Sequence, residues 1–307
     1  MGRTLSKSSG VGSPEARASC SNVTHMWRGE ESLTRRCTPK PFIRWVGGKR
    51  FLAGRITAAA PTSFGKYFEP FLGSGAVFFQ LEPSASILGD LNPDLICAYE
   101  VVRDSVEDVV DWLEEHSTQD ADAYYFMRSM RPTTAVARAG RFLFLNRTAF
   151  NGVWRVNRQG EYNVPYGYRR REDLVGADGL RAASVALSKA QLVCDDFETT
   201  LASASEGDLV YVDPPYTVRH NSNGFRKYNE TLFSWKDQIR LAEVLNGLAI
   251  NRCHVIVSNA SNADVLALYP RSLYQRQMVT RKSLIAGTAS SRATCEEVLL
   301  VSEGSHA

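Results

Sequence analysis

The run Asp208-Leu-Val-Tyr-Val-Asp-Pro-Pro-Tyr216 places a carboxylate, two prolines and an aromatic ring directly after a short apolar strand. Prolines at a strand's carboxyl end fix φ and lack an N–H, so the carbonyls there point outward instead of pairing. In an open α/β sheet the carboxyl ends of the strands are where ligands bind. A carboxylate, a rigid carbonyl and a ring in four residues suit a planar amine. The two acceptors take its hydrogens and the ring stacks on its base. The plainer alternative, a strand terminator with a packed tyrosine, is disfavoured by how rarely Asp-Pro-Pro-Tyr follows an apolar strand.

A second constellation is Phe68-Glu-Pro-Phe-Leu-Gly-Ser-Gly75, followed by Asp90 at the end of the next strand-like run. Gly73 and Gly75 allow a tight turn and close approach of the backbone to a ligand, and an acid at the second strand's tip can accept from ribose hydroxyls. The third glycine of a full dinucleotide fingerprint is missing. Alone, this signal admits either a nucleoside-containing ligand or a structural turn.

Composition bounds the classes open to these residues. The chain has 307 residues, 44% hydrophobic and 22% charged, which excludes wholesale disorder and collagen-like repetition. No stretch approaches a membrane span, and the first residues lack an apolar signal core. Six cysteines without a C-x-x-C pair argue against a zinc ribbon or disulfide framework and suit a reducing cytosol. The net charge of +3 is a cancellation. Residues 86–125 carry eleven acids against Arg103 alone, whereas residues 138–172 carry eight arginines against Glu161 and Glu172. Residues 270–292 add Arg271, Arg276, Arg281, Lys282 and Arg292 with no acid. Basic blocks of this kind are what a phosphate backbone requires, although solvated helix faces also carry charge runs.

The elements that must hold these residues follow from period and punctuation. Residues 1–38, rich in Ser, Thr, Gly and Arg, are expected to form a flexible tail. Strands are expected near 67–70, 87–90, 191–194, 209–212, 255–257, 272–279 and 296–301. Helices are expected after 49, after Gly75, from an Asn92 cap with Pro93 at the first position, over much of 105–145, near 173–188 and around 236–249. Phe150–Tyr168, punctuated by Gly152, Gly160 and Gly167, is expected to be a β-hairpin turning at Arg158-Gln-Gly160. The order describes an α/β, mostly parallel sheet with helices on both faces, interrupted by an insert. The expected division is a catalytic domain from 39–102 and 189–307, with an inserted domain over 103–188.

Five motifs follow in order: Pro41-Phe-Ile-Arg-Trp-Val-Gly-Gly-Lys49, the Phe71-Leu-Gly-Ser-Gly75 turn, Leu145-Asn-Arg-Thr-Ala-Phe-Asn-Gly-Val-Trp-Arg155, Gly160-Glu-Tyr-Asn-Val-Pro-Tyr-Gly167, and Asp-Pro-Pro-Tyr216. Together they resemble the Dam-like (D12 class) family of adenine-N6 site-specific DNA methyltransferases, over roughly residues 41–301. The resemblance implies a Rossmann-like methyltransferase fold whose helical and β-hairpin insert recognises the DNA target. It implies S-adenosyl-L-methionine as methyl donor, no metal, and base flipping to bring adenine N6 into the site. Asp213, Pro214 and Tyr216 would be catalytic. Trp45, Lys49, Phe71, Gly73, Gly75, Asp90, Asp196, Phe197 and Asp213 would surround the cofactor. Asn146, Arg147, Phe150, Arg155, Tyr168, Arg169 and Arg170 would face DNA, with Arg155 reading guanine and Phe150 filling the gap beside the flipped base.

The sequence departs from the family pattern at Val153, where a longer aliphatic is common, and at Tyr168, where a polar residue such as arginine is common, so a GATC target is not assumed. The resemblance implies double-stranded DNA as partner, a cytoplasmic monomer, and no membrane. It leaves open whether a cognate restriction endonuclease accompanies the enzyme. Asp-Pro-Pro-Tyr alone also admits RNA adenine-N6 or cytosine-N4 methylation, and a non-catalytic DNA-binding regulator is the rival of another class. Cytosine-C5 chemistry needs a cysteine after a proline, and the chain has no Pro-Cys.

Overall fold

Seven strands pair into one sheet in the order β3-β2-β1-β4-β5-β7-β6. They are β1 (Tyr67–Glu69), β2 (Ser86–Gly89), β3 (Ala190–Val193), β4 (Leu209–Val212), β5 (His254–Ala260), β6 (Tyr274–Lys282) and β7 (Thr294–Ser302). The first five are parallel, and β7 runs antiparallel between β5 and β6. This computed structural model describes residues 38–157, 159–168, 176–216, 233–282 and 294–302. The expected tail through residue 37, Arg158, and the arginines at 169–171 lie outside the described residues.

Alternation along the strands sends side chains to two apolar layers, the period-two rule of a pleated sheet. Tyr67, Leu88, Leu209, Tyr211, Ile256 and Leu299 face one layer. Phe68, Ile87, Val210, Val212, Val255, Val257 and Val298 face the other. The first layer receives α1 (Ala53–Ala58), α2 (Ala76–Leu81) and α3 (Pro93–Asp104), and the second receives α8 (Phe197–Leu201), α9 (Trp235–Ile250) and α10 (Ala263–Ala267). Asn92 caps α3 as its sequence suggests, accepting from the N–H groups of Asp94 and Leu95, with Pro93 at the first position.

Between α3 and β3 the chain adds α4 (Val106–Glu115), α5 (Ala121–Ser129), α6 (Ala135–Thr148) and α7 (Ala177–Leu187). These helices extend the first apolar layer: Val109, Leu113, Phe142, Leu143, Leu145, Leu180 and Leu187 are buried in the same cluster as the sheet residues. The 103–188 insert is therefore built onto the core of the sheet. α6 passes so close to α4 that a Cβ on Gly140 would lie 2.1 Å from Trp112 Cε3.

The expected hairpin is looser than a two-stranded ladder. Ala149–Tyr166 and Val156–Tyr162 are isolated antiparallel bridges, and Phe150–Gly152 is a 3-10 turn with Asn151 at φ 55°. The Asn157 carboxamide accepts from the N–H groups of Gln159 and Glu161 and closes the tip, where Gly160 takes φ +77°. Main-chain bonds join its arms, from Phe150 N–H to the Pro165 carbonyl at 2.9 Å and from Asn163 N–H to that of Arg155 at 3.2 Å, and side chains add to them. The Tyr124 hydroxyl donates to the Val164 carbonyl at 2.8 Å, Tyr162 donates to that of Val153 at 2.9 Å, and Tyr166 donates to that of Gln119. Trp154 packs between Phe142 and Tyr162.

A Gly140→Ala substitution tests the close helix crossing. The added methyl must displace a packed indole, so unfolding free energy should fall by about 1–3 kcal/mol, the usual cost of overpacking. A urea titration should show a lower midpoint at unchanged slope; an unmoved midpoint would mean that Trp112 yields freely.

Candidate active site

Asp213 stands at the carboxyl end of β4, where the ladder stops at the two prolines. Both of its carboxylate oxygens are held. Lys49 Nζ lies 2.9 Å from Oδ2, and Ser258 Oγ donates to Oδ1 at 2.8 Å. Lys49, only 4% exposed, also donates to the Gly47 carbonyl and sits 4.9 Å from the centre of the Tyr216 ring. Burial pushes the Asp213 carboxyl above the usual aspartate range, and the Lys49 charge and the Lys49 and Ser258 hydrogen bonds pull against it. The Tyr216 hydroxyl is buried and lies in the field of Asp213 and Glu297, so its pKa is raised. The fold thus brings the Asp-Pro-Pro-Tyr cluster together with Lys49 from the N-terminal motif.

The glycine turn follows β1. Gly73 (φ +48°) and Gly75 (φ +62°) both take the left-handed conformation that favours glycine. Trp45 covers this turn: a Cβ on Gly73 would come within 2.6 Å of its indole Cδ1. Asp90, at the tip of β2, accepts from Gly73 N–H at 3.1 Å and Asn92 N–H at 3.0 Å. Burial raises its pKa to about 6 against those two hydrogen bonds. The Tyr99 hydroxyl donates to the Gly73 carbonyl at 3.1 Å. Trp45, Gly73, Gly75 and Asp90 thus share one corner of the sheet's carboxyl edge.

Phe71 and Phe197 stack with centroids 5.9 Å apart, and Phe233 meets both edge-on. Phe197 is 3% exposed, and the Arg240 guanidinium lies over its ring. Asp196 caps α8 by accepting from Glu198 N–H and pairs with Arg240 at 2.8 Å. Its carboxylate is already engaged, in a capped and ion-paired arrangement.

The residues expected to face DNA divide. Phe150 is 54% exposed and Tyr168 77% exposed, the latter at φ 51°. Arg155 is exposed, and its Nε donates to Asn163 Oδ1 at 2.8 Å. Asn146 differs from expectation. It is fully buried: its Oδ1 accepts from Arg44 N–H at 2.9 Å and its Nδ2 donates to the Arg44 carbonyl at 2.7 Å. Its amide is consumed in joining the N-terminal motif to α6, so it is a structural tie and not a DNA contact. Arg147 is half-buried and reaches toward the Phe42 carbonyl. Arg169 and Arg170 lie outside the described residues.

A mostly parallel sheet with a carboxylate at the end of β4 and a glycine turn after β1 has the architecture of a Rossmann-like methyltransferase. The model of the D12 class N6 adenine-specific DNA methyltransferases matches residues 45–283, and the chain belongs to that family. Relatives include the type II methyltransferase M1.LlaDCHI of Lactococcus lactis subsp. cremoris, 32% identical over 86% of this chain and 96% of that protein. The type II methyltransferase M.MjaIII of Methanocaldococcus jannaschii is 31% identical over 80% and 92%, and the DNA adenine methylase of Salmonella typhi 32% identical over 85% and 94%. It is an adenine-specific DNA methyltransferase. Among the described residues no group of three or more His, Cys, Asp or Glu is placed to hold a metal, and no helix is long and apolar enough to cross a membrane.

Sequence reasoning missed Ser258, Tyr211 and Glu69. The signal for Ser258 was present: Ser258-Asn259 ends the apolar strand Val255-Ile-Val257 as Asp213 ends β4. Glu69, buried on β1, accepts from the Tyr67 hydroxyl at 2.8 Å, and burial pushes its pKa from 4.5 to about 8, with the Asp213 charge adding to the rise. The folded protein therefore keeps a proton that the unfolded chain releases near 4.5. Stability from this group is full below that value and is lost as pH rises toward 8. Glu69→Gln keeps the shape and cannot ionise. It should be more stable than wild type at about pH 8 and close to it at about pH 5, by urea titration. Parallel pH dependences would mean that Glu69 is already ionised at neutral pH.

Proposed function

We propose that the chain transfers a methyl group from S-adenosyl-L-methionine to N6 of an adenine flipped out of duplex DNA. The observation that carries this reading is the Asp213 carboxylate, gripped at both oxygens and set beside the Tyr216 ring at the carboxyl edge of the sheet. Adenine N6 is a poor nucleophile because its lone pair is delocalised into the ring. Asp213 and the Pro214 carbonyl would accept its two hydrogens, drawing the nitrogen toward tetrahedral geometry, while Tyr216 stacks on the base. As N6 becomes methylated it gives up one hydrogen as a proton, for which Asp213 is the adjacent acceptor.

The corner formed by Trp45, Gly73, Gly75 and Asp90 fits the cofactor. Left-handed glycines let the main chain approach closely, the Asp90 carboxylate keeps lone pairs beyond those given to Gly73 and Asn92, and Phe71 and Phe197 supply an apolar wall. The cofactor, when bound, supplies an electrophilic methyl group. Lys49 would serve the same site by holding Asp213 ionised and in place.

Residues 103–188 would act as the target-recognition region. Phe150 would fill the space left by the flipped base. Arg155 would read a guanine, and Arg169 and Arg170 would hold phosphates, positioning without specifying. The protein would act as a monomer on double-stranded DNA in the cytoplasm. A solitary enzyme and one with a cognate restriction endonuclease would share this site.

Transfer of labelled methyl groups to duplex DNA tests the chemistry, with modified adenine as the product. Asp213→Ala should lower kcat by about 10²-fold or more, the range for removing a group that acts in the transition state. Wild-type turnover in that variant would sink the mechanism. Arg155→Ala should relax sequence preference at one position by about 10- to 100-fold, equivalent to ~1–3 kcal/mol, in methylation of a random-sequence library. Uniform weakening at every sequence would make Arg155 a phosphate contact.

A further inference from the structure

We propose that Ser258, oriented by Tyr211, is a positioning residue that sets the rotamer of Asp213 for its grip on the amine. This rests on the reading of Asp213 as the amine acceptor. The placement follows from register. β4 and β5 are parallel with Tyr211 beside Ile256 and Val212 beside Val257, so one step further brings Asp213 beside Ser258 on the Tyr211 face. Ser258 Oγ donates to Asp213 Oδ1 at 2.8 Å, and the Tyr211 hydroxyl lies 3.0 Å from the same Oγ. Serine has one hydroxyl hydrogen, and here it is given to the carboxylate. The 3.0 Å contact is therefore Tyr211 donating to Ser258, and the chain of donors runs Tyr211, Ser258, Asp213.

Neither relay residue can act directly on the substrates, because Ser258 is 0% and Tyr211 1% exposed. Their reach is through Asp213 alone. Lys49 fixes Oδ2 from one side and Ser258 fixes Oδ1 from the other, so the carboxylate cannot rotate without breaking one bond. Each oxygen keeps a lone pair for an incoming hydrogen.

The surroundings make the serine more than a spacer. Asp213 is faced by Lys49 from the N-terminal motif, Glu69 from β1, Tyr211 from its own strand, Tyr216 from the following turn and Glu297 from β7. These are two further carboxyl groups against a single ammonium. Without the Ser258 hydrogen bond, Asp213 would hold its proton to higher pH, where it could no longer accept from N6.

The test measures steady-state methyl transfer by the full-length protein to duplex DNA across pH. Ser258→Ala should lower kcat by about 10- to 100-fold with KM for DNA and cofactor changed less than about 3-fold. The acidic limb of its kcat profile should move up by about one pH unit. Ser258→Thr, which keeps the hydroxyl, should recover most of the loss. Tyr211→Phe, which deletes one buried oxygen, should give the same shift at smaller size, and it carries the test should Ser258→Ala not fold. An unmoved acidic limb, or equal losses in the alanine and threonine variants, would reduce Ser258 to packing and overturn the inference. Asp213→Asn separates the two levels. Activity surviving in it overturns the reading of Asp213 and this inference together, whereas an inactive Asp213→Asn with an unmoved limb in Ser258→Ala overturns the role of Ser258 alone.

Discussion

The ion pair between Lys49 and Asp213 is the constraint on which the rest of the site depends. An ammonium only 4% exposed and a carboxylate at the end of a buried strand are both costly to desolvate. Breaking such a pair by removing one partner typically costs about 3–5 kcal/mol, because the other charge is left uncompensated. The N-terminal motif is thereby bound to the sheet's carboxyl edge. Once Lys49 is fixed, the loop that carries it lies against the glycine turn, where a Cβ on Gly48 would lie 3.2 Å from Ser74 Oγ. Trp45, on the same loop, covers Gly73. One electrostatic contact therefore aligns Asp213 with the corner formed by Trp45 and Gly73.

The same motif has a second anchorage. Asn146 holds both the N–H and the carbonyl of Arg44, and Gly152 packs so closely that a Cβ there would lie 2.9 Å from Arg44 Cδ. Within a few residues the strap runs from a tie on α6 to a tie on β4. The helices α4 to α7, which flank the segment that carries Phe150 and Arg155, share their apolar layer with the sheet. These helices and the sheet are thus one packed body in which side chains interlock, and displacement of one is resisted by the other.

Much of this was legible from residues because it rests on local rules. The strands were found where apolar runs meet Gly or Pro, the α3 cap where Asn precedes Pro, and Asp213 and Asp90 where a strand ends in an acid. What escaped has non-local causes. Ser258 follows an apolar run as Asp213 does, but its partner is set by the register of β4 against β5, which pairs residues 45 apart. The resemblance put Asn146 toward DNA, whereas its buried amide is satisfied by Arg44, 102 positions away, a pairing no local pattern announces. The hairpin expected over 150–168 is present but irregular: its arms are joined by main-chain bonds such as Phe150 N–H to Pro165 and Asn163 N–H to Arg155, while positive φ at Asn151 and Gly152 breaks a continuous ladder.

The placement of β7 bears on how the molecule comes into being. This strand is late in the chain, yet it lies inside the sheet between β5 and β6, and it carries Glu297 beside the amine site. β6 precedes it in the chain and, among the described residues, pairs in the sheet with β7 alone. β6 and β7 are consecutive and antiparallel, whereas β7 reaches back past β6 to pair with β5, a non-local pairing of the kind that slows folding. A nascent chain can hold Lys49, Asp213 and even Ser258 and still have an open edge at the very strand that carries Ser258. The strand that carries Ser258 is therefore closed on its second side only when β7 is in place.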